Sequence, residues 1–146
     1  MVLPDFDQVV EQQHQALDAF ARGDAELAEM LWSRRDDITL GNPFGPFVRG
    51  FDQVVQAMQR AASFYRDGEA VGFDLVAREV TADLAYLVEV ERLSAKMGGH
   101  EGFTSVELRV TGIFRNEDGA WRLVHRHADP ITSARGADSV VEHQGR

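Results

Sequence analysis

The residue types best suited to chemistry lie together near the carboxyl end of the chain, in the run His125-Arg126-His127-Ala128-Asp129. In an extended strand the two histidines and the aspartate share one face, and all three are types that bind metal ions. Three such residues along one strand span about 13 Å, too far for all of them to bind one ion directly. The histidines could chelate only with help from another strand. Imidazoles hydrogen-bonded to cross-strand neighbours, or a His–Asp pair, are the other interpretations, and we expect no metal.

A second candidate is a pair of glutamates, Glu89 and Glu91, which alternate on one face of a segment whose composition predicts a buried strand. Arg109, on the next strand, could pair with one of them across the sheet as a carboxylate–guanidinium contact. In the alternative interpretation, one glutamate is a general base at a ligand site.

The last hairpin decides which candidates point inward. We predict a three-residue loop at residues 117–119, which places mostly apolar residues on one face, with Arg126 as the single charge. A glutamate would then remove a proton from a ligand while Arg126 stabilised the negative charge that develops. A bulge or one-residue slip would exchange the two faces. The predicted concave face carries Leu108, Val110, Gly112, Phe114, Val124, Arg126 and Ala128, and the convex face carries Glu107, Arg109, Thr111, Ile113, Trp121, Leu123, His125 and His127.

Further ligand-binding candidates lie outside this hairpin. Asn42 and Arg49 flank an aromatic loop, residues 41–50, that is rich in glycine and proline and could reach the mouth of a cavity. The chain has two tyrosines, Tyr65 and Tyr86, and either could direct its hydroxyl into a ligand site. Arg109, His125 and His127 complete the ligand-binding candidates.

The elements that must position these residues change type along the chain. Apolar residues recur with a helical period in Asp5–Ala21, in a short segment after Asp24 and in Phe51–Arg66. Strand composition then follows, after one short strand candidate earlier in the chain. The predicted strands are Asp36–Leu40, Val71–Val80, Leu84–Ala95, Thr104–Arg115 and Trp121–Ile131.

This order of helices first and strands afterwards predicts an α+β fold. About three helices would pack on one face of a strongly curved antiparallel sheet, as a cone-shaped barrel. Long strands coil, so the helices would fill the concave side incompletely and leave an internal pocket. We expect one domain over residues 1–132 and a polar tail over residues 133–146.

The composition limits the partners. The net charge is −9 and the sequence pI about 4.9, which disfavours nucleic acid as a ligand. The absence of cysteine removes disulfides and thiolate chemistry. No segment has the pattern of a signal peptide or a membrane span. We therefore expect a soluble, cytoplasmic protein with no cofactor.

The stretch LRVTGIFRNEDGAWRLVHRHADP, residues 108–130, resembles the C-terminal hairpin of SnoaL-like proteins, which belong to the nuclear-transport-factor-2-like superfamily. It is also similar to the association domain of calcium/calmodulin-dependent kinase II. The resemblance covers roughly residues 5–131 and implies the cone-shaped fold, but this superfamily hosts isomerases, cyclases, dehydratases, epoxide hydrolases and non-enzymatic assembly domains. The pocket arginines of the kinase domain align with Gly112 and Ala128, and no motif here matches the ketosteroid isomerase carboxylates, so the resemblance assigns no catalytic residue.

Two functions remain open from the sequence. One is an isomerase, cyclase or hydrolase that acts by proton transfer on a small, largely apolar molecule, with Glu89, Glu91 and Arg126 as its catalytic residues. The other is a binding or oligomerisation module without a reactive pair. In either case we expect a homodimer through the sheet face, where Trp121, Leu123 and Ile113 would otherwise be exposed.

Overall fold

The computed structural model describes residues 5–141. Three helices precede a long antiparallel meander, with two short strands between the second and third helices. The elements are α1 (Phe6–Phe20), α2 (Glu26–Met30), β1 (Thr39–Gly41), β2 (Val48–Arg49), α3 (Phe51–Ala62), β3 (Tyr65–Val80), β4 (Leu84–Met97), β5 (Phe103–Glu117), β6 (Ala120–Asp129) and a short 3-10 turn (Ala137–Val140).

The first helix forms where its capping and periodicity predict it. The Asp5 side chain accepts a hydrogen bond from the Asp7 amide at 3.1 Å, which satisfies one of the free N–H groups of the first turn. The face containing Phe6, Val9 and Leu17 is buried against the sheet. In the part of the chain that the structure describes, no helix is long and apolar enough to cross a membrane.

The third helix ends earlier than the sequence predicts. The periodicity suggested a helix to Arg66, but α3 stops at Ala62 and Tyr65 is the first residue of β3. At Gly68 a side chain would collide with the Ala21 and Ser94 carbonyl oxygens, so only glycine allows β3 to pass this close. The sheet pairing is irregular at the same point. Tyr65 therefore belongs to the sheet.

The sheet has six strands in the order β2-β1-β6-β5-β4-β3, and its two ends do not close into a barrel. Strands β3 to β6 form the predicted antiparallel meander. The prediction of a wholly antiparallel sheet was incomplete, because β1 pairs with β6 in parallel and the loop after it contains β2. The sheet is therefore mixed.

The predicted register of the last hairpin was wrong in two places. Its loop has two residues, Asp118 and Gly119, both with positive φ (54° and 89°), so the strands pair one residue out from the predicted register. Val124 then forms a bulge, because Phe114 pairs with Leu123 whereas Ile113 pairs with His125.

Trp121 and Leu123 consequently lie on the inner face instead of the predicted outer one. Trp121 packs edge-on against Phe6, with ring centroids 5.5 Å apart, and Phe6 also contacts Phe114 at 5.1 Å. Trp121, Leu123 and Trp32 are all buried in the main core, between the helices and the inner face of the sheet. The dimer prediction rested on an exposed apolar patch of Trp121, Leu123 and Ile113. Two of these three residues are buried, so that patch is not present on the surface.

Candidate functional site

A cavity of about 60 Å³ remains between the helices and the inner face of the sheet. Its walls are mostly aliphatic and aromatic side chains from all three helices and from five of the strands or the loops beside them. The loop after β1 contributes half-buried residues, so the cavity approaches solvent on that side. The polar side chains that reach its lining are Gln13, Asn42, Tyr65, Glu91 and Arg126.

The strongest polar contact in this lining is a two-pronged ion pair between strands β6 and β4. The Nη1 and Nη2 atoms of Arg126 lie 2.8 and 2.7 Å from the two carboxylate oxygens of Glu91. The Glu91 side chain has no exposed surface, and that of Arg126 is 14% exposed. Burial works against the charge of Arg126, but Glu91, together with smaller contributions from Glu89 and Tyr65, outweighs it and raises the pKa of Arg126 above its usual value.

The bulge at Val124 explains why Arg126 points inward. The bulge changes the alternation of β6, so that Arg126 and Ala128 share the inner face with Leu123. Gly112 is the cross-strand partner of Arg126. The side chains nearest to a Cβ built at Gly112 are those of Phe114, Leu123 and Gln13.

Tyr65 and Asn42 lie at other points of the same lining. Tyr65 is 3% exposed, and burial raises the pKa of its hydroxyl to about 12. The charge of Arg126 lowers this pKa and the charge of Glu91 raises it, both by smaller amounts than burial. The Asn42 side-chain oxygen accepts a hydrogen bond from the Phe44 amide at 2.9 Å, so it caps the turn. Its NH2 group is the part left to contact a ligand.

Glu89 lies on the inner face of β4, two residues before Glu91, but has different partners. His14 Nε2 is 3.0 Å from both carboxylate oxygens of Glu89, and Gln13 Nε2 donates to one of them at 3.4 Å. The His14 ring stacks on Phe73 of β3, with centroids 3.7 Å apart and planes 8° from parallel. Glu89 and Gln13 are each 2% exposed.

The sequence candidates did not include His14 and Gln13, although one signal pointed to Gln13. Gln13 occupies a position of α1 that follows the helical period of the buried residues Val9, Ala16 and Leu17. A polar side chain at such a core position requires a buried hydrogen-bond partner. Glu89 supplies that partner, but only the fold brings it to α1.

The remaining candidates lie away from the cavity. Arg49 is exposed, and its Nε donates to the Asp36 carbonyl at 3.2 Å. Tyr86 is 41% exposed on the outer face. Arg109 does not form the predicted pair with a glutamate, because it lies opposite Val90, between Glu89 and Glu91 and on the other face of the sheet. It pairs instead with Asp129, at 2.7 Å.

The two histidines of the C-terminal run also face outward. His125 Nδ1 is 2.7 Å from the Thr39 hydroxyl, and His127 Nε2 is 3.4 Å from Asp129. Burial lowers the pKa of His125, and His127 beside it lowers it further. Within residues 5–141, no group of three or more His, Asp or Glu side chains is arranged to hold a metal ion.

Comparison with known proteins identifies one family by sequence. The family described as the SnoaL-like domain matches residues 9–132, which include every residue of the cavity lining. No curated protein matches the chain in sequence.

Solved structures with the same fold are numerous but distant. An NTF2-like superfamily protein from Salmonella enterica is 16% identical, with a TM-score of 0.71, over 89% of this chain and 90% of its own. A protein from Thiobacillus denitrificans, described as a candidate calcium/calmodulin-dependent protein kinase type II association domain, is 20% identical with a TM-score of 0.69, over 89% and 98%. A ketosteroid isomerase-like protein from Erwinia carotovora atroseptica is 16% identical with a TM-score of 0.69, over 86% and 95%. At these identities the likeness establishes the fold alone.

Proposed function

The chain belongs to the SnoaL-like domain family, and from that premise we propose that it binds a small, largely apolar, uncharged molecule in its cavity. The observation that carries this proposal is the guanidinium of Arg126, fixed by Glu91 at 2.7 and 2.8 Å in a lining that is otherwise mostly apolar. An arginine has five N–H donors, and the contacts with Glu91 use two of them. The remaining donors can bind a carbonyl or hydroxyl oxygen of the ligand.

The charges around the cavity favour a neutral ligand over an anion. Glu91 already neutralises Arg126, and the Glu89 carboxylate is also close enough to raise the pKa of Arg126. The site therefore has no excess positive charge to attract a ligand carboxylate. In this buried region, the negative charges of Glu89 and Glu91 would repel such a ligand more strongly than in water. A neutral oxygen avoids this repulsion and still gains a charge-assisted hydrogen bond.

The size of the cavity sets a second limit on the ligand. A volume of about 60 Å³ exceeds what one water needs, but it is smaller than the roughly 150 Å³ of an engineered cavity that holds benzene. A ring-sized ligand would require movement of the half-buried loop residues that line the cavity, Asn42, Pro43 and Phe44. We therefore expect ligands of a few carbon atoms to bind without this movement and larger ones to displace the loop.

Titration of the full chain with neutral probes of rising size, followed by two-dimensional NMR, tests the proposal. The probes are acetone, cyclopentanone, 1-indanone and their alcohols, with benzoate as the anionic contrast. We expect saturable shifts around the cavity with neutral probes, weaker binding of benzoate, and loss of binding in Arg126→Gln. Arg109→Gln is the matched control, because it breaks an ion pair of the same length on the outer face.

Two results would contradict this proposal. One is that both variants bind the neutral probes like the wild type, and the other is that benzoate binds more tightly than any neutral probe. If Arg126→Gln does not fold, the double variant Glu91→Gln/Arg126→Gln removes both charges together and replaces it in the comparison.

Proton transfer on the bound molecule is a second candidate function, favoured by the hydrogen-bonded pair of His14 and Glu89. Glu89 lies outside the cavity lining, beside Gln13, so a ketone held by Arg126 would first displace the Gln13 side chain. The ketone would then lose an α-proton to Glu89, while the arginine stabilised the enolate oxygen. His14, whose side chain is 21% exposed, would exchange that proton with solvent. Cyclopentanone in D2O should then gain deuterium at its α-carbons faster with wild-type protein than with Glu89→Gln, and equal rates would leave the binding function without catalysis.

We also retain the proposal of a homodimer through the outer face of the sheet, now on a set of residues that keeps only Ile113 from the original patch. Leu84 and Tyr86 are 49% and 41% exposed there, and Val88, Val90 and Ile113 are half-buried beside them. Such an apolar strip on an open sheet is typical of an interface. Light scattering at micromolar concentration should give a dimer that Tyr86→Asp dissociates. A monomeric wild type would refute the proposal and with it the alternative of an oligomerisation module.

A further inference from the structure

One buried polar group in the cavity lining is not satisfied by the protein. Gln13 is 2% exposed and its side-chain NH2 donates to Glu89. Its Oε1 has no hydrogen-bond partner among the residues that the structure describes. Buried side-chain oxygens nearly always have a partner, so an unpaired one beside a cavity indicates that the partner comes from the cavity.

The contacts of Glu89 fix which way the amide of Gln13 points. An ionised carboxylate only accepts hydrogen bonds, so the NH2 group and not the oxygen of Gln13 must face it. The carboxylate is held in turn by His14 at 3.0 Å to each oxygen, and the His14 ring is held by its stacking on Phe73. The Gln13 oxygen is therefore directed away from Glu89.

The unpaired oxygen of Gln13 is directed toward β5, the strand that pairs with the Arg126 strand, β6. A Cβ built at Gly112 would lie 3.9 Å from Gln13 Oε1, and Gly112 is the cross-strand partner of Arg126. The same Cβ would make ordinary contacts with Phe114 at 3.4 Å and Leu123 at 3.6 Å, so there is room for about one methyl group at this point. An acceptor on α1, Gln13, and a donor on β6, Arg126, thus both belong to the cavity lining.

We propose that Gln13 Oε1 accepts a hydrogen bond from the bound molecule, which therefore carries a hydroxyl or N–H group and not only a carbonyl or ether oxygen. This inference rests on the proposed function, since it names a property of the ligand bound at Arg126. A hydroxyl can accept from Arg126 and donate to Gln13, whereas a ketone satisfies Arg126 alone. Gln13 is then the residue that distinguishes alcohols or amides from ketones of the same shape.

Matched alcohol and ketone pairs test the inference directly. The probes are 2-propanol with acetone, cyclopentanol with cyclopentanone, and 1-indanol with 1-indanone, titrated by NMR into wild type, Gln13→Leu and Gln12→Leu. Gln12 is exposed on the same helix and serves as the control. A neutral hydrogen bond corresponds to about a fivefold to tenfold change in affinity. We expect the alcohol-to-ketone preference to fall by that factor in Gln13→Leu and to stay unchanged in Gln12→Leu.

Comparing the preference between variants removes the difference in hydration between each alcohol and its ketone, because that difference is the same for every variant. The side-chain amide signals of Gln13 should also shift with the alcohol more than with the ketone. If Gln13→Leu fails to fold, Gly112→Ala fills the space beside the oxygen with an ordinary contact and should weaken alcohol binding more than ketone binding.

The outcomes separate this inference from the function on which it rests. An alcohol preference that is the same in wild type and Gln13→Leu, with binding still lost in Arg126→Gln, overturns the role of Gln13 and leaves the proposed function intact. That result would mean that a bound water satisfies the oxygen. Failure of every alcohol and every ketone to bind the wild type overturns both.

Discussion

Strands β4 to β6 form an inner face toward the helices and an outer face away from them. Each of these two faces contains one arginine–carboxylate pair. On the inner face Arg126 and Glu91 approach to 2.7 Å, and on the outer face Arg109 and Asp129 approach to the same 2.7 Å. The inner side chains are 14% and 0% exposed, whereas the outer ones are 56% and 15% exposed. Equal distances therefore do not mean equal roles: what distinguishes a site from a surface contact here is the absence of water around it.

The largest expected difference between the faces is in stability. Glu91→Ala leaves the Arg126 guanidinium buried without its partner, which we expect to lower the free energy of unfolding by about 3–5 kcal/mol. Asp129→Ala removes the partner of Arg109, which water can replace, and one hydrogen bond from the Ile131 amide, so we expect a smaller loss of about 1 kcal/mol. Urea denaturation of both variants measures the contrast.

A double variant sharpens this first contrast. Glu91→Leu/Arg126→Met replaces both charges with apolar groups of similar length, and such replacements recover much of the stability lost by either single change. The double variant should therefore unfold at higher urea than Glu91→Ala and still bind none of the neutral probes. Recovery of stability together with binding would show that the pair is structural and is not the ligand anchor.

The tyrosines extend the comparison to alkaline pH. Tyr65 is inside and its pKa is raised from 10.0 to about 12, so its neutral form stabilises the fold below pH 10. That contribution is lost as pH rises through 12, and two pKa units correspond to about 2.7 kcal/mol. Ultraviolet titration should show a late component that Tyr65→Phe removes and that Tyr86→Phe, on the outer face, leaves in place. A late component that survives Tyr65→Phe would contradict the assignment.

At acid pH we expect a loss of stability from the ion pairs that Arg115 of β5 makes with two carboxylates. Arg115 binds Asp37 and Glu117 at 2.7 Å each. Its hydrogen bond lowers the pKa of Asp37, and, although burial opposes it, Arg115 and Ser33 lower the pKa of Glu117 as well. Carboxyls with lowered pKa values stabilise the fold above their ordinary pKa, near 4, and this stability is lost as pH falls through the lowered values.

Arg115→Gln should therefore reduce the stability at pH 7 more than at pH 2 in denaturation experiments. Arg122→Gln is the control, because Arg122 is the cross-strand neighbour of Arg115 and has no carboxylate partner among the described residues. The same loss at both pH values would mean that Arg115 acts through packing and not through charge.

The smallest effect concerns the outer histidines. The pKa of His125 is lowered by burial and by His127, so neutral His125 favours the fold above its ordinary pKa of 6.5 and that contribution fades as pH falls through the lowered value. His127→Gln should raise the pKa of His125 slightly, as measured from its ring proton shifts, and leave probe binding unchanged. A change in probe binding would break the separation between the two faces.

Much of the fold followed from the change of hydrophobic period from helix to strand near residue 70. The end of α3 did not, because helical periodicity continues through Tyr65 and only tertiary packing shows that Gly68 must lie against two backbone carbonyls. The inward direction of Arg126 was predicted correctly, but from a loop length that was wrong and without the bulge at Val124. The loop is one residue shorter than predicted and the bulge adds one residue back, so the alternation is wrong before Val124 and right after it.

The site was harder to predict than the fold. The sequence identifies Glu89, Glu91 and Arg126 as unusual in a core sheet, but the pairing of Glu91 with Arg126 spans β5, which lies between their strands. Interactions across two strand spacings depend on side-chain length and sheet curvature, which alternation does not describe. Gln13 and His14 depended further on how α1 lies over the sheet.

The bulge at Val124 also bears on how such a chain can diverge. Without it, continuing the hairpin register from Leu123 would turn His125 and His127 toward the cavity and Arg126 toward solvent. One inserted or deleted residue in β6 thus exchanges a guanidinium for two imidazoles at the same wall while every strand stays in place. Small insertions in this strand are a short evolutionary route to new pocket chemistry on an unchanged scaffold, a route that point substitutions would need several steps to match.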